Sequence, residues 1–294
     1  MSFMRTNSGI SNLHLFYNAD LTVYTEGGIN SYSISEVELG KYNKSSVDIK
    51  FWSGVFKAHN LSKKVHFRAV GSKTSAQVII DKVLSGEIRN TVVACDRDLD
   101  HYLGLMKVSP YVIYTKGYSW ENDVFGEDIT RLQIDSMILE HELPIKVLDL
   151  IKDCYTSFFV IGKFIAKAEL LFRLNGLSFI SCINAERLFK ASSPAKLNKQ
   201  EVICIYRQKA KEIKRPFFST VKISGLCPYM NNYGKLIKAL AVNLINFICR
   251  KFSGHRNFPL LLIESTMIER FCKKIASVRD EYYFNLVHNL NSTN

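Results

Sequence analysis

The rhythm of hydrophobic and polar positions changes partway along this chain. The first part alternates short β-rich runs with amphipathic stretches. Residues 21–25 (LTVYT) form such a run and end at Glu26-Gly27-Gly28, where the glycine pair lets the chain turn sharply. A polar, Lys-rich stretch spans 40–47, and Phe51, Trp52, Val55 and Phe56 then share one face of a predicted helix. Residues 65–70 (VHFRAV) alternate as a strand and stop at Gly71. Residues 72–84 begin with a cap-competent Ser72 and carry an apolar stripe through Ala76, Ile79, Ile80 and Val83, the pattern of a helix packed on a sheet. Residues 91–95 (TVVAC) are apolar on both faces, as a central parallel strand requires, and run straight into Asp96-Arg97-Asp98. Residues 111–115 (YVIYT) predict the next strand and lead to Tyr118-Ser119-Trp120-Glu121. Strand and helix in this alternation predict a three-layer α/β domain with a mostly parallel sheet.

After Val124 the period becomes helical. Residues 145–174, 199–215, 234–252 and 258–285 carry apolar positions every three to four residues, separated by SSP, SGLCP and SGHRNFP turns. The expected organisation is an α/β domain over 1–125 and an α-helical domain over 126–294, with the boundary falling between Ser119 and Ile134.

Charge sharpens this division. Lys and Arg number 39 against 27 Asp and Glu, a net charge of +12, which favours an acidic partner such as nucleic acid or an anionic surface. Up to Val124 the basic surplus is 2, and beyond it the surplus is 10. The first part thus supplies carboxylates and the second supplies attraction for polyanions. A basic surface that merely keeps the chain in solution gives the same composition, so motifs must decide.

The seven cysteines, at 95, 154, 182, 204, 227, 249 and 272, lie apart and mostly within apolar runs. None has the spacing of a zinc knuckle or a redox dithiol, and the odd number argues against a secreted disulfide framework, so reduced thiols in a cytoplasmic protein are expected. The opening MSFMRTNSGI has no basic head followed by an apolar run and does not resemble a signal peptide. The apolar stretches at 158–165 and 236–249 are interrupted by Lys or Asn and fall short of a membrane span, so no membrane partner is expected.

Ligands of an open parallel sheet bind outside the carboxyl ends of its strands. The predicted strands carry Glu26, then Asp96 and Asp98, then Glu121 to that edge. Hard oxygen ligands of this kind suit Mg²⁺ or Mn²⁺ with some waters retained, and such a cation would neutralise and orient a scissile phosphate. Glu26 is a further ligand or the proton carrier, since clustered carboxylates raise one another's pKa. Asp100 and Glu121 are auxiliary ligands. An Asp-Arg-Asp run alone is common in surface turns, and joint placement at the ends of several strands is what raises these residues above that background.

Gly71-Ser72-Lys73-Thr74 ends like a phosphate loop, but Arg68-Ala69-Val70 stands where a glycine-rich cradle belongs, so no ATPase is expected. Lys73 at a helix start, and Arg97, can still meet a backbone phosphate. In the basic part, Arg207, Lys209, Lys211, Lys214 and Arg215 form one cluster, and Arg250, Lys251, His255 and Arg256 form another. Such clusters give salt-dependent, sequence-independent phosphate contacts, although each alone also fits a solvated helix face. His101 and His141 stand alone and are left outside the site.

Four segments together resemble the toprim-like domain of nuclease effectors encoded beside AAA or ABC-type ATPases in bacterial anti-phage loci, most nearly those of PARIS-type systems. They are Val23-Tyr24-Thr25-Glu26-Gly27, Gly71-Ser72-Lys73, Asp96-Arg97-Asp98-Leu99-Asp100 and Tyr118-Ser119-Trp120-Glu121-Asn122. The resemblance covers about the first 125 residues and matches the remainder only in general character. It implies a toprim-like sheet with flanking helices, a proton-transferring Glu26, and Asp96 and Asp98 as Mg²⁺ ligands. It also implies a toxic nuclease acting on host tRNA, restrained by the ATPase until a phage trigger releases it, and a homodimer once released. Many relatives have an aspartate where this chain has Asn30, so Asp100 or Glu121 would have to supply that ligand. Two readings stand beside it: a DNA endonuclease of the overcoming-lysogenization-defect (OLD) type, and a non-catalytic subunit that binds the ATPase.

Overall fold

The computed structural model of the chain describes residues 17–138, 140–180, 186–189, 195–214, 225–254 and 258–293. Arg215, His255, Arg256 and Cys182 lie outside these residues. In chain order the elements are β1 (Leu21–Thr25), α1 (Ile34–Glu38), α2 (Val47–Ala58), β2 (Val65–Ala69), α3 (Lys73–Leu84), β3 (Thr91–Cys95), α4 (Asp100–Leu103), β4 (Val112–Tyr114), α5 (Trp120–Val124) and α6 (Glu127–Asp135). There follow α7 (Ile145–Leu174), α8 (Lys199–Lys209), α9 (Gly234–Ser253), α10 (Leu260–Ser277) and α11 (Glu281–Ser292).

The fold is mixed α/β: a parallel sheet flanked by helices, followed by a mostly helical region. β1, β3 and α7 coincide with the segments that hydrophobic period predicts. The expected helix over 258–285 is instead two, α10 and α11. Asp280 separates them, because its side chain accepts the backbone N–H groups of Tyr282 and Tyr283 and starts a new helix. The expected helix over 199–215 gives way after Lys209 to a short 3₁₀ turn, Ala210–Glu212.

The chain packs as two compact units, and neither is a single stretch of sequence. Of the described residues, one comprises those up to Asp96 with those of 107–115 and from 271 on, and the other comprises those of 97–106 and 116–270. The residues after Asp96, and those from Lys116 onward, group with the helices, and the C-terminal segment groups with the sheet.

In the first unit the sheet has the order β2-β1-β3-β4 with every neighbouring pair parallel. All five residues of β1 and all five of β3 are buried, which explains why both read as continuous β-rich runs. From β1 the chain moves to β2 on one side and then crosses to β3 on the other, so the strand order reverses between β1 and β3. Phe51, Trp52, Val55 and Phe56 of α2 are buried. The Phe56 ring stacks on Phe67 of β2, and Phe51 meets Phe271 and Tyr283 from the C-terminal segment. The Tyr282 hydroxyl donates to the Tyr114 carbonyl at 2.8 Å, and the Asn291 side chain accepts the Ser62 N–H at 2.9 Å. These bonds fasten α11 to the sheet unit.

In the second unit α9 packs against α5, α6 and α7. It buries Leu236, Leu240, Leu244 and Ile248, a stripe at helical spacing. The buried Tyr155 of α7 spends its hydroxyl on the Phe125 carbonyl at 2.9 Å and on Thr130 Oγ1 at 2.7 Å. Among the described residues no helix is long and apolar enough to cross a membrane.

Candidate functional site

In the sheet unit, Glu26 follows the last residue of β1 and Asp96 the last residue of β3. These two strands flank the reversal in strand order, the point where an open α/β sheet leaves a crevice for ligands. The register pairs Thr25 with Ala94, which sets Glu26 level with Cys95. The Cys95 thiol hydrogen-bonds to the Glu26 carboxylate. Burial first, and then the negative charges of Glu26 and Asp96, push this thiol well above its usual range, with the Lys73 ammonium acting the other way. Cys95 therefore stays protonated and serves as a donor to Glu26, not as a nucleophile.

The loop after Glu26 is held by a side chain that hydrophobic period does not single out. Asn43, buried, donates through Nδ2 to the carbonyls of Asn30 (2.8 Å) and Ala69 (3.1 Å) and accepts the Asn30 N–H at 3.1 Å. Ser31 Oγ adds a bond to the Gly71 carbonyl at 2.6 Å. Asn30 itself is exposed, and its backbone carries the loop's attachment to the end of β2. The Asp48 carboxylate, in the first turn of α2, lies directly over Gly27, so any Cβ added there would collide with it. Ser72 caps α3 by accepting the Ser75 N–H at 3.1 Å, and Lys73, exposed, is the first helical residue.

On the same face as Glu26, two residues back, Tyr24 pairs with Arg68 of β2. Arg68 is fully buried; its guanidinium lies 4.2 Å from the Tyr42 ring centroid and donates to the Tyr17 hydroxyl at 3.2 Å. The sequence gives no hint of this, since an Arg in an alternating strand ordinarily faces water.

In the helical unit, Asp98 adopts the left-handed backbone conformation (φ +49°), which Asp tolerates better than most residues. Its N–H donates to the Tyr118 carbonyl at 2.7 Å. Tyr118 is packed with Leu99, Leu170 and Leu226, and burial, followed by the charge of Asp98, raises its hydroxyl above the usual tyrosine range. That hydroxyl accepts from Arg173 Nη2 at 3.3 Å, while Arg173 Nε donates to Glu169 at 2.7 Å. Arg97 is half-buried, and its carbonyl accepts the Asp100 N–H at 3.1 Å in the turn that starts α4.

Glu121 is buried and engaged within the helices. It accepts from Ser119 Oγ at 2.6 Å and lies 3.8 Å from Lys238 Nζ, which also pairs with Glu264 at 2.9 Å. Of the basic residues, Arg207, Lys211, Lys214, Arg250 and Lys251 are exposed, whereas Lys209 donates to the Ser178 carbonyl at 2.8 Å. Arg207 and Lys211 line an open groove of α8 together with Gln200, Ile203, Cys204 and Gln208.

Among the described residues, no three His, Cys, Asp or Glu side chains converge as a ready-made metal-binding group. Two carboxylates at the ends of adjacent strands fit a different binding mode, that of Mg²⁺, which keeps several waters and takes one or two carboxylates together with substrate phosphates. Compared with protein-family models and with curated proteins, the chain gives no match to either.

Proposed function

We propose that this chain is a Mg²⁺-dependent phosphodiesterase with a toprim-like catalytic part, cutting host tRNA as the toxic effector of an anti-phage system. The observation that carries the reading is the placement of Glu26 and Asp96 at the carboxyl ends of β1 and β3, on either side of the reversal in strand order. The tRNA substrate, the restraining AAA or ABC-type ATPase and the homodimer of the released form rest on the resemblance of the four motifs, and the cytoplasmic setting rests on the dispersed, odd-numbered cysteines. Mg²⁺, or Mn²⁺ in its place, would supply charge neutralisation at the scissile phosphate and a more acidic bound water.

Each residue has a definite task in this reading. Asp96, with Asp98 two residues along the chain, offers oxygen ligands. Glu26 moves the proton, and its half-buried position beside the protonated Cys95 thiol fixes the orientation of its carboxylate. Lys73 offers a cation to a backbone phosphate at the start of α3. The exposed Arg207, Lys211, Lys214, Arg250 and Lys251 attract the polyanion without reading its sequence.

The test is to induce the chain and its Glu26→Ala and Asp96→Ala variants with and without the neighbouring ATPase gene and the phage trigger. Growth and total small RNA are then compared. Both substitutions are expected to abolish toxicity and tRNA fragments. Undiminished toxicity with the same fragments would remove the acidic site, and plasmid loss with intact RNA would move the substrate to DNA. Toxicity lost through failed ATPase contact, with no nuclease activity in the parent chain, would favour the binding-subunit reading.

A further inference from the structure

We propose that Arg173, near the end of α7, is a substrate-positioning guanidinium that holds a non-bridging phosphate oxygen of the nucleic acid beside Asp98. The inference rests on the nuclease reading and extends it to a residue outside the four motifs.

An i,i+4 Glu–Arg pair on a helix is ordinarily a solvated contact that contributes only tenths of a kcal/mol. The pair Glu169–Arg173 departs from that pattern in three respects. Glu169 is buried, with a side-chain exposure of 3% against 40% for Arg173. Its second oxygen accepts the backbone N–H groups of Phe179 (2.9 Å) and Ile180 (3.2 Å), so the carboxylate is anchored before it meets the arginine. The guanidinium is then fixed at two nitrogens, Nε by Glu169 at 2.7 Å and Nη2 by the Tyr118 hydroxyl at 3.3 Å.

Tyr118 joins this arrangement to the acidic run. Its carbonyl accepts the Asp98 N–H at 2.7 Å, so one residue sets both the backbone of Asp98 and the plane of Arg173. The charge of Asp98 reaches both Tyr118 and Arg173. A planar guanidinium held on one side, with its outer edge toward solvent, is suited to bidentate capture of a phosphate, and a lysine ammonium cannot reproduce that geometry. Asp98 and Glu169 together outweigh the single positive charge of Arg173. Phosphate capture at Arg173 is therefore expected to need a divalent cation to offset Asp98.

The experiment uses the full chain and a fluorescently labelled tRNA transcript. Binding is followed by anisotropy across a range of salt concentrations, with Mg²⁺ and with EDTA, in a Glu26→Gln background that prevents cleavage. Cleavage kinetics are measured in the otherwise unchanged chain. Arg173→Gln is expected to raise KM about tenfold, the loss of one charge-assisted contact. In Mg²⁺ it should also flatten the dependence of log affinity on log salt by about one phosphate contact. Arg173→Lys should restore the salt slope but not the KM, and Glu169→Gln, which keeps the guanidinium but loosens it, should raise KM with the slope intact. Unchanged KM and slope in both Arg173 variants, while Glu26→Ala and Asp96→Ala abolish cleavage, would overturn this proposal alone. A parent chain that neither binds nor cleaves the transcript would overturn the nuclease reading with it. If Arg173→Gln fails to fold, Arg173→Lys decides the matter through KM, and a wild-type KM there sinks the proposal.

Discussion

Gly27 is one of the residues whose surroundings constrain the loop after Glu26. Its backbone is not in the left-handed region, so its lack of a side chain answers to space alone, and the Asp48 carboxylate fills that space. Gly27→Ala is expected to push the Asp48 carboxylate aside and to destabilise the chain by about 1 kcal/mol. The same substitution in an Asp48→Ala background should cost much less, because the colliding atoms are gone. Equal costs in the two backgrounds, measured by urea denaturation, would mean that Asp48 is not the obstacle. Asn43 offers a second test. Asn43→Ala leaves the carbonyl of Ala69 without its side-chain donor and should cost about 1–3 kcal/mol, with faster hydrogen exchange at the Asn30 amide. The positions of Glu26 and Asp96 at strand ends were legible because each follows a β-rich run. Asn43 and Asp48 were not, because they sit in or beside a polar, Lys-rich stretch whose period says nothing about what it touches. Glu121 was expected at a strand end, whereas it lies in α5 and pairs with Lys238, which is far away along the chain.

Among the elements, α10 and α11 show what periodicity can and cannot settle. The apolar positions of 258–285 keep a helical spacing through the break, so hydrophobic pattern alone predicts one helix. The local signal of the break is Asp280, whose side chain accepts the N–H groups of Tyr282 (3.1 Å) and Tyr283 (3.2 Å). Asp280→Ala should lower stability by about 1 kcal/mol, and Asp280→Asn should recover most of it, because either oxygen can cap the helix. A melting temperature unmoved by Asp280→Ala would mean that tertiary packing of Tyr283 and Val287, not the cap, starts α11. The short helices α1, α4 and α5, each of 4 or 5 residues, lie below the length at which an apolar stripe can be recognised. Two of them open on capping boxes, Ser33 with Glu36 in α1 and Ser119 with Asn122 in α5.

For the whole molecule, the sequence division into an acid-bearing first part and a basic helical remainder is a statement about charge along the chain, and it holds as such. The return of 271–294 to the sheet unit is a long-range contact, made by aromatic residues that any core would accept, so no local pattern announces it. Both units bury thiols, and this gives the molecule a defined response to alkaline pH. Burial pushes Cys154 up to about 11 and Cys249 up to about 11, and Cys95 is raised further by burial and its acidic neighbours. In the unfolded chain a thiol ionises near pH 8.5–9. Above that pH the unfolded state sheds protons that the folded state keeps, so this contribution is fully present below about pH 8 and is lost as pH rises toward 11. Each thiol contributes a slope of about 1.4 kcal/mol per pH unit within its window. Rising pH also reduces the net positive charge of +12, which relieves self-repulsion and opposes the fall. Comparing the parent chain with Cys154→Ala/Cys249→Ala separates the two effects, because both proteins share the same surface charge. The gap in stability between them should be nearly constant from pH 7 to about 7.5 and should narrow by about 2 kcal/mol between pH 9 and 10. A gap that stays constant through pH 10 would mean that both thiols ionise as readily in the folded chain as in the unfolded one, and that their burial does not hold their protons.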